Sequence, residues 1–579
     1  MHGAVTTDGA LATSGAGMTS GPGRARAWRV LGWGLAVLLP LAFLGVFFAL
    51  PVFGLVGRGF LTDGRIDLSG FGEVMSRPRT WRIIGLTLGQ AAAGTVIALL
   101  LGVPGAHLLY RTSFRGRGAV RAIVAVPFVL PTVVVGVAFR SVLADSGPLG
   151  FLGWDGTFAG VVAALVFFNY PVVVRTVGAF WAGLDPRAEQ AARALGASPT
   201  RSFLAVTLPA LAPALASAAS IVFLFCATAF GVVLVLGGVG YGTVETEIWV
   251  QTTQFLDLRA AAVLSVLQIA VVTAALTVAG RARRRREQAV TRDPGRPRAL
   301  ALLGRDARAG DRAALGITGV TVLGLLGLPM AVLVARSLHT REGWGLGNYA
   351  ALGRRLPGLG ASGWDAAATS LRIAVDATLI AVVVAGLVAL VASRRPRSRG
   401  LRRAVGALDG VFALPLGVSA VTVGFGILVT LHRPFGLDLD LRTWPYLVPI
   451  AQAVVAVPLV VRTVLPVLRA IDTRQHEAAA VLGASPGQVL RFVDWPVAAR
   501  SLGLALGLAF AVSLGEFGAT SFLVRPDAPT LPVLVYRLIG RPGADNLGTA
   551  LAASVLLAAL TAAVMAAAER LRGPEGSDV

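Results

Sequence analysis

The residues whose spacing carries the most information fall in two short runs. One reads Asp472-Thr-Arg-Gln-His-Glu477-Ala478-Ala479-Ala-Val-Leu-Gly483-Ala-Ser485-Pro486 and closes at Trp495-Pro496. The other reads Asp185-Pro186-Arg-Ala-Glu189-Gln190-Ala191-Ala192-Arg-Ala-Leu-Gly196-Ala-Ser198-Pro199 and closes at Leu208-Pro209. These residue types make contacts rather than break bonds. Asp472 is placed as a helix N-cap, with Gln475 where it would complete a capping box. Gly196 and Gly483 suit the left-handed C-terminal cap of a short helix. Ser198-Pro199 and Ser485-Pro486 then open a second short helix with a cap and a first-turn proline. Ordinary amphipathic loop helices are the plainer reading. A connector has no need of a capped helix–glycine–helix unit made twice, whereas a rigid projection that docks into another protein does.

Bond-making chemistry has no comparable signature. There is no Ser/His/Asp or paired-carboxylate arrangement, so no catalytic residue is expected. One cysteine, Cys226, and five scattered histidines leave no cluster for a metal, and Cys226 reads as a small core residue. All 52 Lys+Arg positions are arginine. A phosphate-binding loop of the GxxxxGK[ST] type needs its lysine. The chain is therefore expected to hold no cofactor, and any ATP-driven work must come from an ATPase on another chain.

The composition says where these loops are held. Of 579 residues, 55% are hydrophobic and 14% charged, with a mean hydropathy of +0.73. Soluble domains carry about 25% charged residues, so a soluble enzyme is excluded, and so is a disordered chain. The net charge of +22 would suggest nucleic acid in a soluble protein. Here the arginines gather in loops between apolar runs, as in membrane proteins, and no nucleic-acid partner is expected.

A bilayer core of about 30 Å takes about 20 apolar residues per helix. Twelve stretches qualify: 30–57, 83–110, 119–143, 157–180, 208–236, 258–280, 313–336, 368–392, 404–430, 445–468, 496–524 and 546–568. The tail before the first, the loop from Arg111 to Arg121, the stretch 281–312 with eleven arginines, and 393–403 with six all fall on one side. The positive-inside rule makes that side cytoplasmic, with both termini there. Asp145, Asp155, Glu245, Glu247 and Asp257 fall on the other side, as do Arg65, Arg77 and Arg79, against the rule. The first span is too long for a signal-peptide core and is expected to stay as an anchor.

Shifting the chain by 287 residues aligns its two halves. Pro171 and Arg175 fall on Pro458 and Arg462, Gly196 on Gly483, Pro209 on Pro496, Phe230-Gly231 on Phe517-Gly518, and Trp249 on Tyr536. A shift of 288 places Pro127 and Gly136 on Pro415 and Gly424. Six spans per half is even, so both halves insert the same way and form a parallel repeat. The expected organisation is a disordered tail 1–29, a first half 30–280 with core 83–280, an arginine-rich linker 281–312, a second half 313–568 with core 368–568, and a tail 569–579.

Three more residues stand out. Arg175 and Arg462 lie near the cytoplasmic ends of their spans, placed to snorkel or to pair with the loop. Glu516 falls inside the eleventh span, where a carboxylate lines a pathway or bonds a neighbouring helix. The matching position in the first half is Ala229.

The loop runs resemble the cytoplasmic signature of permease subunits of ABC importers: EAA, three residues, then Gly, with Leu-Pro thirteen residues later. Glu477-Ala478-Ala479, Gly483 and Pro496 follow that spacing. So do Gln190-Ala191-Ala192, Gly196 and Pro209, except that Gln190 replaces the glutamate and Glu189 stands one residue early. The resemblance covers roughly 83–280 and 368–568. It implies an all-α integral membrane protein of the type I importer-permease class, in the plasma (inner) membrane, whose loops dock two copies of an ATPase subunit. Solute would arrive from an extracytoplasmic binding protein and cross by alternating access. Among fused two-half permeases, Phe230 to Gly238, Thr243 to Trp249, Ser513 to Gly518 and Thr530 to Tyr536 resemble the thiamine type, with iron(III) importers next. An ion-coupled twelve-helix transporter would also show parallel halves, but has no use for paired docking loops.

Overall fold

The computed structural model describes residues 34–284, 298–299 and 309–571, apart from 63–64, 239, 356–359, 395–397, 433, 435–437, 439 and 526. The expected tail 1–29, most of the linker 281–312 and residues 572–579 lie outside the described residues.

In the first half, α1 (Gly34–Phe60) leads through a two-residue hairpin, Leu61–Thr62 against Arg65–Ile66, towards α2 (Pro78–Arg111). Then come α3 (Arg117–Val129), α4 (Thr132–Leu143), α5 (Phe158–Ala182), the short α6 (Arg187–Ala194) and α7 (Pro199–Ala227). The half closes with α8 (Gly231–Leu236), α9 (Val244–Thr253) and α10 (Leu258–Arg284). The second half repeats the series. It has α11 (Ala309–Ser337), a hairpin His339–Thr340 against Gly343–Trp344, α12 (Gly363–Ala392), α13 (Arg399–Ala413), α14 (Ala420–Thr430) and α15 (Leu447–Arg469). It ends with α16 (Thr473–Val481), α17 (Trp495–Gly515), α18 (Thr520–Leu523), α19 (Leu531–Ile539) and α20 (Ala544–Leu571).

Among the described residues, eight helices are long and apolar enough to cross a membrane, and two further spans are bent pairs. Leu258–Ala274 and Ala420–Thr430 are shorter apolar helices, so each of the twelve apolar stretches has a helical counterpart. The third span is not straight: α3 and α4 meet at 104°. Leu130 precedes Pro131 and is extended (ψ 139°), as a residue before proline prefers. The ninth is broken too, at Leu414–Gly417 and Val418, with the Ser419 hydroxyl accepting from the Val421 N–H at 3.0 Å to restart the chain as α14. The eleventh span bends by 57°, and its helix stops at Gly515.

Proline also leaves a mark inside continuous helices. The π-turns Gly45–Ala49, Phe203–Thr207, Thr321–Gly327 and Leu490–Asp494 each end two residues before a proline: Pro51, Pro209, Pro329 and Pro496. The missing N–H frees a carbonyl one turn back, and the turn widens to re-pair.

In space the division into halves differs from the division in sequence. α1 packs on α14 of the second half and on α10, while α11 packs on α2 and α4 of the first half and on α20. Each first span thus bridges the last helix of its own half and the core of the other. His107 on α2 holds buried Asp311 on α11 at 2.9 Å, and a Cβ on Gly54 of α1 would collide with Thr430 of α14. The linker joins in through Arg298–Ala299, which runs parallel to Thr112–Ser113.

The duplication is repeated at the closest approaches. A Cβ on Gly136 would lie 3.5 Å from Val232 Cα, and one on Gly424 would lie 2.5 Å from Ala519 Cα. Val232 and Ala519 are themselves 287 apart. Gly424→Ala should therefore cost about 1–3 kcal/mol of overpacking and lower the melting temperature of the purified protein. Gly406→Ala, where the new Cβ meets nothing within 4 Å, should not lower it.

Candidate functional site

Between α5 and α7, and again between α15 and α17, the chain makes the same object. In the first half the N–H of Gly196 donates to the carbonyl of Arg193 at 3.0 Å, and that of Ala197 to the carbonyl of Ala192 at 3.1 Å. In the second half Gly483 donates to Ala480 at 3.0 Å and Ala484 to Ala479 at 2.9 Å. This crossed pair ends a helix only if the glycine takes a left-handed conformation. Gly196 has φ +86° and Gly483 φ +78°. The last alanine of each motif, Ala192 and Ala479, is thus the carbonyl that the cap closes on.

The N-terminal side is built differently from the sequence expectation. Asp472 Oδ1 accepts from the Arg474 N–H at 2.9 Å, as Asp185 Oδ1 does from Arg187. No reach-back from Gln475 is found among the described residues. The reciprocal box instead stands at the second short helix: Ser485 N–H donates to Gln488 Oε1 at 2.7 Å, and Gln488 N–H to Ser485 Oγ at 3.4 Å. The Ser-x-x-Gln spacing was there to be read. In the first half Ser198 Oγ accepts from Arg201 N–H at 3.3 Å. Pro209 lies inside α7, two residues past its π-turn, and Pro496 lies in the first turn of α17, two residues past the matching π-turn.

The surface of the two loops is open and apolar at its tips. Leu195 is 89% exposed, Val481 87% and Leu482 86%. Glu477, Ala478, Gln190 and Ala191 are exposed, while Ala192 and Ala479 are half-buried. Glu477 makes no ion pair among the described residues. Glu189 is spent locally, on Arg193 at 2.7 Å.

The loops are braced unequally, which sequence reasoning missed. Buried Asp494 accepts from Arg394, just past α12, at 2.8 Å and lies 2.7 Å from Nε2 of His476 on α16. The first-half positions matching Asp494 and His476 are Thr207 and Glu189, so this bridge has no twin.

The other singled-out residues are placed as follows. Arg175 and Arg462 are both exposed, seven residues from the ends of α5 and α15, and Arg175 makes no ion pair among the described residues. Glu516 is not inside a helix. It follows the end of α17 and caps α18, accepting from the N–H groups of Ala519 at 2.8 Å and Thr520 at 3.0 Å and from the Thr520 hydroxyl. Glu245 and Glu247, expected in an outer loop, are buried in α9. Glu247 takes a forked contact from Arg79 at 2.9–3.1 Å, and Arg77 pairs with Glu73 and Asp257. Two of the three arginines that broke the charge rule are thus neutralised by local partners.

A family model described as binding-protein-dependent transport system inner membrane component matches residues 94–286. The chain is 28% identical over 520 residues to the thiamine transport system permease protein of Brucella abortus, covering 85% of this chain and 87% of that one. The Escherichia coli thiamine transport system permease protein is 26% identical over 477 residues, 79% of this chain and 84% of that one. The molybdenum transport system permease protein of Azotobacter vinelandii is 38% identical over 162 residues, 27% of this chain and 72% of that one.

Proposed function

The chain belongs to the binding-protein-dependent inner-membrane transport components, the permeases of ABC importers, and on that footing we propose that it carries thiamine into the cytoplasm. It is a multi-pass protein of the inner membrane. Both termini and the loops around Gly196 and Gly483 face the cytoplasm. Each loop seats in one of two copies of an ATPase subunit, which hold the ATP; this chain holds no cofactor of its own. An extracytoplasmic binding protein delivers the solute to the opposite face. ATP binding draws the two ATPases together and pulls the loops with them. The equilibrium between the two open states moves only by the difference in affinity for them.

The observation that carries this reading is the pair of loops with one cap geometry and bare leucines at their tips. An ion-coupled transporter has no use for them. The choice of thiamine rests on the relatives that match along most of their length. Uptake of labelled thiamine by cells that express the chain with its ATPase and binding protein tests that choice. Competition by iron(III) but not by unlabelled thiamine would turn the assignment to iron.

Orientation is tested separately. A reporter fused after residue 290 should read cytoplasmic and one near 240 extracytoplasmic. Both on one side would overturn the six-plus-six arrangement. The loops should also differ in strength. Glu477→Ala removes a charged contact worth about 1.5–3 kcal/mol, so the complex with the ATPase should weaken by roughly tenfold or more. Gln190→Ala, which removes a neutral side chain, should weaken it less. Equal losses in a pull-down titration would contradict the unequal roles.

A further inference from the structure

Residues related by the duplication meet one another at one place in the molecule. Phe230 and Phe517 stack at 5.4 Å with their planes 17° apart, and Trp249 and Tyr536 meet edge to face at 5.7 Å. Phe517 also touches Tyr536 at 5.5 Å, which joins the pairs into one cluster. Each pair is separated by 287 residues in sequence. A residue that contacts its own symmetry mate must lie at the symmetry axis, so these four rings lie on the line between the halves. They follow the ends of α7 and α17, at the opposite end of those helices from the docking loops.

Two buried carboxylates stand beside the rings. Glu245 lies one helical turn before Trp249 in α9, and Glu516 directly precedes Phe517. They belong to one neighbourhood. Glu245 Oε2 accepts from Ser419 Oγ at 2.6 Å, and Ser419 Oγ accepts from Val421 N–H at 3.0 Å. A Cβ on Gly518 would lie 3.3 Å from that same nitrogen and 3.3 Å from Glu516 Oε1. Neither carboxylate makes an ion pair among the described residues. Among the described residues, the Trp249 Nε1–H is buried without an acceptor and the Ser513 hydroxyl, three residues before Glu516, is buried without a partner. Unpaired buried donors are uncommon and ask for an explanation.

We infer that this four-ring cluster is where the solute crosses between the halves, and that it selects a flat, cationic heteroaromatic molecule. The ring faces attract a cation and stack on a flat solute. The Trp249 N–H supplies one donor for a ring nitrogen. In this conformer the rings close on each other, and a flat solute replaces ring–ring contacts with ring–solute contacts as the pairs part. The inference rests on the thiamine reading for the identity of that solute, but not for the class.

The test uses the full complex in proteoliposomes, plus a thermal-shift titration of the purified permease with thiamine and with choline, a cation that is not aromatic. Trp249→Leu and Tyr536→Leu should each lower thiamine uptake and apparent affinity by tenfold or more, with ATPase co-purification unchanged. Trp249→Phe should restore much of both, which separates loss of a ring from misfolding. Thiamine imported equally well by both leucine variants would overturn the inference and leave the thiamine reading standing. Stabilisation by thiamine that depends on Trp249, without uptake, would support the site and overturn the reading. Equal stabilisation by choline and thiamine would contradict selection by aromatic stacking.

Discussion

Leu482→Asp is expected to separate this chain from its ATPase and to abolish ATP-coupled uptake. Leu482 and Val481 are almost bare at the end of α16, as Leu195 is at the end of α6. Burying a leucine against a partner is worth about 1.5–3 kcal/mol. Aspartate forfeits that and brings a carboxylate that must be desolvated on docking, at a further cost of several kcal/mol if it stays charged and unpaired. The combined penalty exceeds about 3 kcal/mol, or more than a hundredfold in affinity. Folding should not suffer, because a side chain this exposed contributes within about 0.5 kcal/mol to stability. Leu195→Asp should act likewise on the other loop. The check is ATPase co-purification and uptake at matched membrane levels. A Leu482→Asp protein that retains its ATPase would mean that these tips face nothing.

Gly483→Ala and Gly196→Ala should uncouple hydrolysis from transport without breaking the membrane core. Both glycines are left-handed, and an added Cβ would meet nothing within 4 Å. The whole cost is therefore in the backbone, about 1–2 kcal/mol for a non-glycine residue in that conformation. A loop that escapes this strain gives up the crossed hydrogen bonds from Gly483 and Ala484, and its tip points elsewhere. Asparagine tolerates the left-handed region better, so Gly483→Asn should keep more uptake than Gly483→Ala. An alanine variant as active as the asparagine variant would show that the cap geometry is not what the partner reads.

Much of this was legible in the sequence because the signals are local. Apolar runs of span length located the helices, and the glycine four residues past Ala192 and Ala479 located both caps. The breaks were not legible. Composition stays apolar through Leu130-Pro131, Leu414 to Val418 and Gly515 to Ala519, so hydropathy reads one span where the backbone turns. Glu516 was drawn into a helix for that reason, although its carboxylate caps the next short helix at Ala519 and Thr520. Glu247 was placed in an outer loop because its partner, Arg79, is 168 residues away. The reach of each first span to the other half leaves no local trace either: nothing near Asp311 announces His107. The aromatic cluster lay between these cases, since the alignment paired Phe230 with Phe517 and Trp249 with Tyr536 without saying that the partners touch.

The most direct measurement is ATP hydrolysis by the purified complex in proteoliposomes, with and without thiamine-loaded binding protein. The chain alone, with no lysine to form a phosphate-binding loop, should hydrolyse no ATP. With its ATPase it should show a basal rate that loaded binding protein raises, and thiamine should accumulate inside in step with hydrolysis. Thiamine accumulation driven by an ion gradient in the absence of any ATPase would contradict the account.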